Sequence, residues 1–120
     1  MIVVDASVLI AHLDERDALH EQAVERLLAA AGETLGASTL TLAEVFVGPA
    51  RRGRLGDARA AITALEVEEI PLASGAAGDL ATLRAETGLK LPDCCVLLAA
   101  RETGASGVLT FDERRGKSPP

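Results

Sequence analysis

The chain has 120 residues, with 18 Asp and Glu against 12 Lys and Arg and a formal charge of −6. That length suits one domain, and 48% hydrophobic with 25% charged residues excludes a disordered chain. Phe46 and Phe111 are the only aromatics, too few for the base-stacking platforms of RRM or OB-fold proteins, and the acidic balance argues against a grip on nucleic acid by overall positive charge.

Ile2-Val3-Val4 predicts a short buried strand that ends at Asp5, and the next eight residues, Ala6–Leu13, are apolar at helical spacing. Asp14-Glu15-Arg16-Asp17 is a polar break, with Asp17 placed to cap a helix over 18–31. Leu19, Ala23, Val24, Leu27 and Leu28 form the apolar stripe of that helix, opposed by Glu21, Gln22, Glu25 and Arg26, and Gly32 stops it. A second strand is expected over 34–38. Thr39 or Thr41 is placed to cap a helix over 40–47 that ends before Gly48-Pro49. Arg51-Arg52-Gly53-Arg54 reads as a basic turn, 57–65 as an alanine-rich helix, and 67–72 as a third strand closed by Pro71. Residues 76–87 are helical up to Gly88. Pro92 opens a helix running to 102, because its missing N–H costs nothing in a first turn. Gly104 ends that helix, 107–110 is a fourth strand, and 111–120 is a polar tail. Strands alternating with helices predict an α/β fold, a three-layer α/β/α domain over 1–120 with a short, mostly parallel sheet of four or five strands.

No stretch approaches the roughly 18 consecutive apolar residues of a membrane-spanning helix. The start has no basic region and carries Asp5 where a signal peptide stays apolar, so a cytoplasmic protein is expected. Cys94 and Cys95 are adjacent, with no C-x-x-C and no paired His. They read as two small helix residues, and reduced thiols fit a cytoplasm.

Four acids stand in apolar company: Asp5, Glu44, Asp93 and Asp112. A lone carboxylate in such surroundings costs several kcal/mol unless it is paired, hydrogen-bonded or bound to metal. Taken one at a time, Asp5, Asp93 and Asp112 have an ordinary explanation as helix caps. Glu44 falls inside its helix, where its ordinary explanation is an edge residue reaching out to solvent. Placement points elsewhere. Asp5 and Asp112 each fall at the carboxyl end of a predicted strand, Glu44 follows strand two, and Asp93 opens the helix leading to strand four. Ligands of open parallel sheets collect outside the carboxyl ends of the strands, so the four acids are expected around one cleft. Crowded carboxylates repel one another unless a cation neutralises them, and oxygen-only ligands favour Mg²⁺ or Mn²⁺. Phosphodiester hydrolysis by water is a common use of such a cluster.

The pieces Val3-Val4-Asp5-Ala6-Ser7, Thr41-Leu42-Ala43-Glu44-Val45, Leu91-Pro92-Asp93 and Leu109-Thr110-Phe111-Asp112 resemble, in order and spacing, those of PIN-domain ribonucleases, specifically the VapC-like toxins of bacterial toxin–antitoxin pairs. The likeness runs over nearly the whole chain and includes Gly48-Pro49-Ala50-Arg51-Arg52-Gly53-Arg54 and Ala85-Glu86-Thr87-Gly88-Leu89. It implies that Asp5, Glu44, Asp93 and Asp112 are the metal-binding acids; of these, Asp5 and Asp93 are expected as direct ligands, with Glu44 and Asp112 acting partly through water. Ser7 and Thr110 match the family's hydroxyl positions beside the metal. The resemblance further implies a Mg²⁺- or Mn²⁺-dependent endoribonuclease, an RNA substrate, a homodimer and a cognate antitoxin. Cys94-Cys95 stand where relatives usually carry small or aliphatic residues. Relatives also continue into a last edge strand where this chain reaches Lys117-Ser118-Pro119-Pro120, so 113–120 is expected to be a short or irregular tail.

Two basic clusters, Arg51, Arg52 and Arg54, and Arg114, Arg115 and Lys117, are candidates for holding RNA phosphates; singly, each reads as a solvated turn residue. His12 and His20 read as surface or helix-edge histidines before they read as bases. Leu9, Leu13 and the stripe from Leu19 to Leu28 fit core packing or partner contacts equally well. Two other functions remain in view. A phosphatase with an aspartyl nucleophile at Asp5, of the haloacid-dehalogenase kind, needs a second Asp two residues later, where this chain has Ser7. A PIN-like interaction module would bind a protein partner without cleaving RNA.

Overall fold

In the computed structural model, which describes residues 1–112, the strands are short because each carries only one apolar run. β1 (Ile2–Val4), β2 (Leu35–Ser38), β3 (Val67–Ile70) and β4 (Gly107–Leu109) form a four-stranded sheet in the order β3-β2-β1-β4. Every pairing is parallel: Ile2 pairs with Leu35 on one side of β1 and with Gly107 on the other, and Leu35 pairs with Val67. The expected tail over 113–120, with Arg114, Arg115 and Lys117, lies outside the described residues.

Six helices fill the connections among the described residues: α1 (Ala6–Leu13), α2 (His20–Ala29), α3 (Thr39–Arg51), α4 (Leu55–Ala64), α5 (Ala76–Thr87) and α6 (Leu91–Thr103). Alternation along β1 assigns them to layers, because successive side chains of a strand point to opposite faces. Val4 packs into a core built from α1, α2, α3 and α4, with Leu9, Ala23, Leu27, Leu42, Val45 and Ile62. Val3, one residue earlier, packs on the other face against Val96 and Ala99 of α6. A further cluster joins α5 to α6 through Leu83, Leu89, Leu97 and Leu98. Both valines are fully buried, as expected of a central parallel strand covered on two faces. The α/β/α expectation is met.

The sequence places most elements within two residues of their observed ends. Helices α1 and α5 match over their whole length, and α5 stops at Gly88 in the left-handed conformation, φ 72°. Helix α2 begins at His20 rather than residue 18, because Asp17 accepts from the Leu19 N–H (2.8 Å) and builds a turn before the helix starts. The larger difference is α3. It runs through Gly48-Pro49 to Arg51 instead of ending at 47. Pro49 deletes only the bond its own nitrogen would give to the helix, while buried Leu42 and Val45 anchor the preceding turns. Beyond it, the Arg54 N–H closes on the Pro49 carbonyl at 2.8 Å. The cap also differs from expectation. Ser38, not Thr39 or Thr41, caps α3: its Oγ accepts from the Thr41 N–H (3.1 Å) and shares a bond with Thr41 Oγ1 (3.0 Å).

This topology gives the molecule a polarity. Four parallel strands place all their carboxyl ends at one pole, where α1 and α3 begin directly after β1 and β2. Helix α6 descends for 13 residues to Gly104 before β4 rises, so its first turn lies at the same pole, roughly 20 Å from its last. Among the described residues no helix is long and apolar enough to cross a membrane.

Ser38 and Thr41 are each 1% exposed, so neither water nor a neighbouring turn replaces the cap. Ser38→Ala is expected to lower unfolding free energy by roughly 1–2 kcal/mol in urea denaturation, with the denaturant slope unchanged; an undiminished midpoint contradicts this assignment.

Candidate active site

Asp5 ends β1 and is 3% exposed. It occupies the N-cap position of α1, yet its side chain makes no capping bond; the ordinary explanation of this acid therefore fails. Its carboxylate Oδ2 instead accepts from Ser7 Oγ (2.8 Å) and from Thr110 Oγ1 (2.7 Å). Hydrogen bonds to an ionised acceptor are the strong ones, and they offset the cost of burying it. Both hydroxyls also accept: Ser7 Oγ from the Phe111 N–H (3.1 Å) and Thr110 Oγ1 from the Asp112 N–H (2.9 Å). The Asp5 N–H donates to the Leu109 carbonyl (2.9 Å), continuing the β1–β4 ladder into the site. Asp5, Ser7, Thr110 and Asp112 are thus one bonded unit.

The other acids lie on elements that begin or end at the same pole. Asp93 is half-buried in the first turn of α6, which packs on β1, and Asp112 is half-buried beyond β4. Glu44 lies on α3, exposed at its tip but partly desolvated, and that desolvation raises its carboxyl pKa. Burial, then Cys94, then the Glu44 charge push up the thiol of Cys95, which lies two residues after Asp93. Among the described residues no group of three or more His, Cys, Asp or Glu side chains is arranged to hold a metal ion. The expected cleft therefore has its acids at one pole, without a preformed cage.

Glu44 opens onto a cavity of about 420 Å³ between α1, α3 and α4, lined on its polar side by Arg16, Arg52 and Arg54 together with Asp14 and Asp57, and on its apolar side by Ile10 and Leu13. Two of the three arginines of the predicted basic turn, Arg52 and Arg54, thereby share a cavity with a candidate site acid. Arg51 does not line it, and Arg114 and Arg115 lie outside the described residues.

The sequence profile of the PIN domain matches residues 2–117. The chain belongs to the PIN domain family. No curated protein matches the sequence at a significant level. Solved structures share the fold: the Mycobacterium tuberculosis toxin VapC20, described as cleaving the sarcin–ricin loop, is 22% identical with a TM-score of 0.77, over 93% of this chain and 90% of its own. A toxin–antitoxin complex from Klebsiella pneumoniae is 25% identical with a TM-score of 0.78, over 100% of this chain and 93% of the other. VapBC2 of Rickettsia felis, bound to a DNA fragment from its promoter, is 17% identical with a TM-score of 0.70, over 95% and 90%. The resemblance seen in the four sequence pieces is borne out at the level of the family and of the VapC fold.

Within this PIN domain the remaining candidates divide cleanly. His20 Nδ1 donates to the Ala11 carbonyl (2.8 Å) and stacks on His12 at 6.3 Å between ring centroids; in no hydrogen bond do these rings meet Asp5, Ser7 or Thr110. Leu9, Ala23 and Leu27 are buried core residues, whereas Leu19 and Leu28 remain exposed. Cys94 and Cys95 are buried, free thiols on α6. Arg16 reads as solvated and is so, its side chain 94% exposed beside Asp14 at 3.7 Å, although it borders the cavity with Arg52 and Arg54. One arginine contact has no signal in the sequence. Arg26 lies on the polar face of α2, and its contacts are with residues 110 and 111. No spacing rule reaches across that distance.

Replacing Thr110 by the isosteric Val removes one donor from the buried Asp5 carboxylate. Thr110→Val is expected to cost about 1.5–3 kcal/mol of stability at neutral pH, measured by chemical denaturation; a change below about 0.5 kcal/mol would show that the carboxylate does not depend on this bond. His12 supplies a second expectation. Burial and then the neighbouring His20 lower its pKa from 6.5, so in this pH range the unfolded chain binds a proton that the folded chain refuses. Stability should therefore fall as pH drops below 6.5 towards the folded value. Titration of the His12 ring by NMR should give a midpoint below 6.5; a midpoint at or above that value contradicts the assignment.

Proposed function

We propose that the chain is a metal-dependent endoribonuclease that hydrolyses RNA phosphodiester bonds with water, the toxin of a toxin–antitoxin pair. One observation carries this reading: a PIN domain keeps a buried carboxylate, Asp5, at the carboxyl pole of its parallel sheet, held by two hydroxyls and linked through Thr110 to Asp112. A capping or solvated acid needs no such support. The VapC20 toxin and the Klebsiella toxin–antitoxin complex, which share the fold, support the activity and the antitoxin partner. A homodimer and a cytoplasmic location belong to the same reading.

The donor set fits a hard divalent ion, because all four acids offer oxygen. Asp5 and Asp93 would hold Mg²⁺ or Mn²⁺ directly, with Glu44 and Asp112 acting partly through water. When bound, such an ion lowers the pKa of a water and offsets the charge that develops on the phosphate. The chain's own residues do the rest. Ser7 and Thr110 fix the Asp5 carboxylate in one orientation, and Thr110 carries the Asp112 backbone with it. Arg52 and Arg54, in the cavity beside Glu44, hold RNA phosphates, which position a strand without reading its bases. With only two aromatics in the chain, base stacking contributes little.

The test is cleavage of RNA by the purified chain freed of any partner. Mg²⁺ or Mn²⁺ should support cleavage, EDTA should abolish it, and Asp5→Asn or Asp93→Asn should each reduce the rate by at least about 100-fold. Cleavage that survives EDTA, or an undiminished Asp93→Asn protein, rejects the mechanism. The absence of a preformed cage favours one other reading, a catalytically weak PIN-like module that acts by binding a protein partner. That reading requires a folded protein that cleaves no RNA in either metal while still binding its partner.

A further inference from the structure

Arg26 projects from the face of α2 that its sequence spacing assigns to solvent. Its guanidinium reaches the end of β4, 84 residues away, where Nη1 donates to the Thr110 carbonyl at 2.9 Å. The centre of the same guanidinium lies 4.8 Å from the centroid of the Phe111 ring. One planar cation therefore engages two consecutive residues, one by a hydrogen bond and the next through its aromatic face. These are the residues whose other groups build the site: Thr110 Oγ1 donates to Asp5, and the Phe111 N–H donates to Ser7.

The position matters because sheet pairing ends there. Among the described residues β4 pairs only with β1, and its last partner pair is Val4 with Leu109, extended by the Asp5 N–H bond to the Leu109 carbonyl. Residues 110–112 lie beyond that pairing, where side-chain bonds from Ser7, Thr110 and Arg26 bear on their course. Ser7 and Thr110 hold this turn from the inside, and Arg26 holds it from the outside. We infer that Arg26 is a positioning residue: it clamps the 110–112 turn so that the Thr110 hydroxyl and Asp112 stay in register with Asp5. The clamp is a matter of geometry; its effect on metal and RNA rests on the ribonuclease reading. Lysine is a poor substitute, because a point ammonium lacks the planar fork that donates and stacks at once.

The experiment is amide hydrogen exchange of the metal-free protein, comparing wild type with Arg26→Ala and Arg26→Lys, with the Val3 and Val4 amides as reporters of the whole fold. Arg26→Ala should speed exchange at Phe111 and Asp112 by about tenfold, the size expected for losing one hydrogen bond and one exposed cation–π contact together, while Val3 and Val4 stay protected. Arg26→Lys should restore less than half of that protection on a logarithmic scale. Calorimetric titration with Mn²⁺ should show weaker binding to Arg26→Ala by roughly five- to tenfold, and RNA cleavage should lose kcat with little change in KM. Unchanged exchange at Phe111 and Asp112, or loosening of Val3 and Val4 by the same factor, overturns the clamp. The two readings fail separately: a wild-type protein that cleaves no RNA sinks the ribonuclease and leaves the exchange result standing, whereas active wild type with an unaltered turn in Arg26→Ala sinks only the clamp.

Discussion

A carboxylate buried at the end of the central strand constrains the rest of this structure. Asp5 is removed from water, and an ionised carboxylate in that position costs several kcal/mol unless strong donors meet it. The donors come from opposite ends of the chain, Ser7 two residues on and Thr110 105 residues on. Satisfying Asp5 therefore requires β4 to lie beside β1 in the observed register, with Val4 opposite Leu109. The same register carries Asp112 to the pole of Asp5. Fold and candidate site are in this sense one requirement: the sheet that buries the acid is also the sheet that delivers its partners.

Around that centre the charges sort by environment rather than by number. A total of −6 argues against a nucleic-acid partner only if all acids are equivalent, and they are not. Asp5 is held by hydroxyls, Glu44 is partly desolvated on α3, and Asp93 and Asp112 are half-buried at the same pole. Arg16, Arg52 and Arg54 share the cavity that Glu44 opens onto with Asp14 and Asp57, so cations stand among acids there and the lining carries both signs. The scarcity of aromatics keeps its meaning: recognition in this molecule falls to charge, hydroxyls and shape.

Much of this was legible in the sequence, for physical reasons that differ by element. The spacing predicts α1 and α5 over their full length because an abrupt signal, Asp5 at one start and Gly88 at one end, coincides with the change in periodicity. It ends α3 early because Gly48-Pro49 is a strong local stop, which a helix anchored by Leu42 and Val45 overrides. The cap of α3 differs for the opposite reason. Ser38, Thr39 and Thr41 all carry a suitable hydroxyl, and only the path of β2 decides that Ser38 is the last extended residue.

The sequence by itself determined the α/β alternation, the apolar strands, the family and the four acids in apolar company, because each of these is written in neighbours a few residues apart. Only the tertiary structure decided what those acids meet: that Asp5 is held by Ser7 and Thr110 rather than capping α1, that Glu44 shares a cavity with Arg52 and Arg54, and that Arg26 reaches the 110–112 turn. Such contacts join residues separated by tens of positions. They exist only once burial of Val3 and Val4 has fixed the sheet, since periodicity reports which way a side chain faces and not what it meets there.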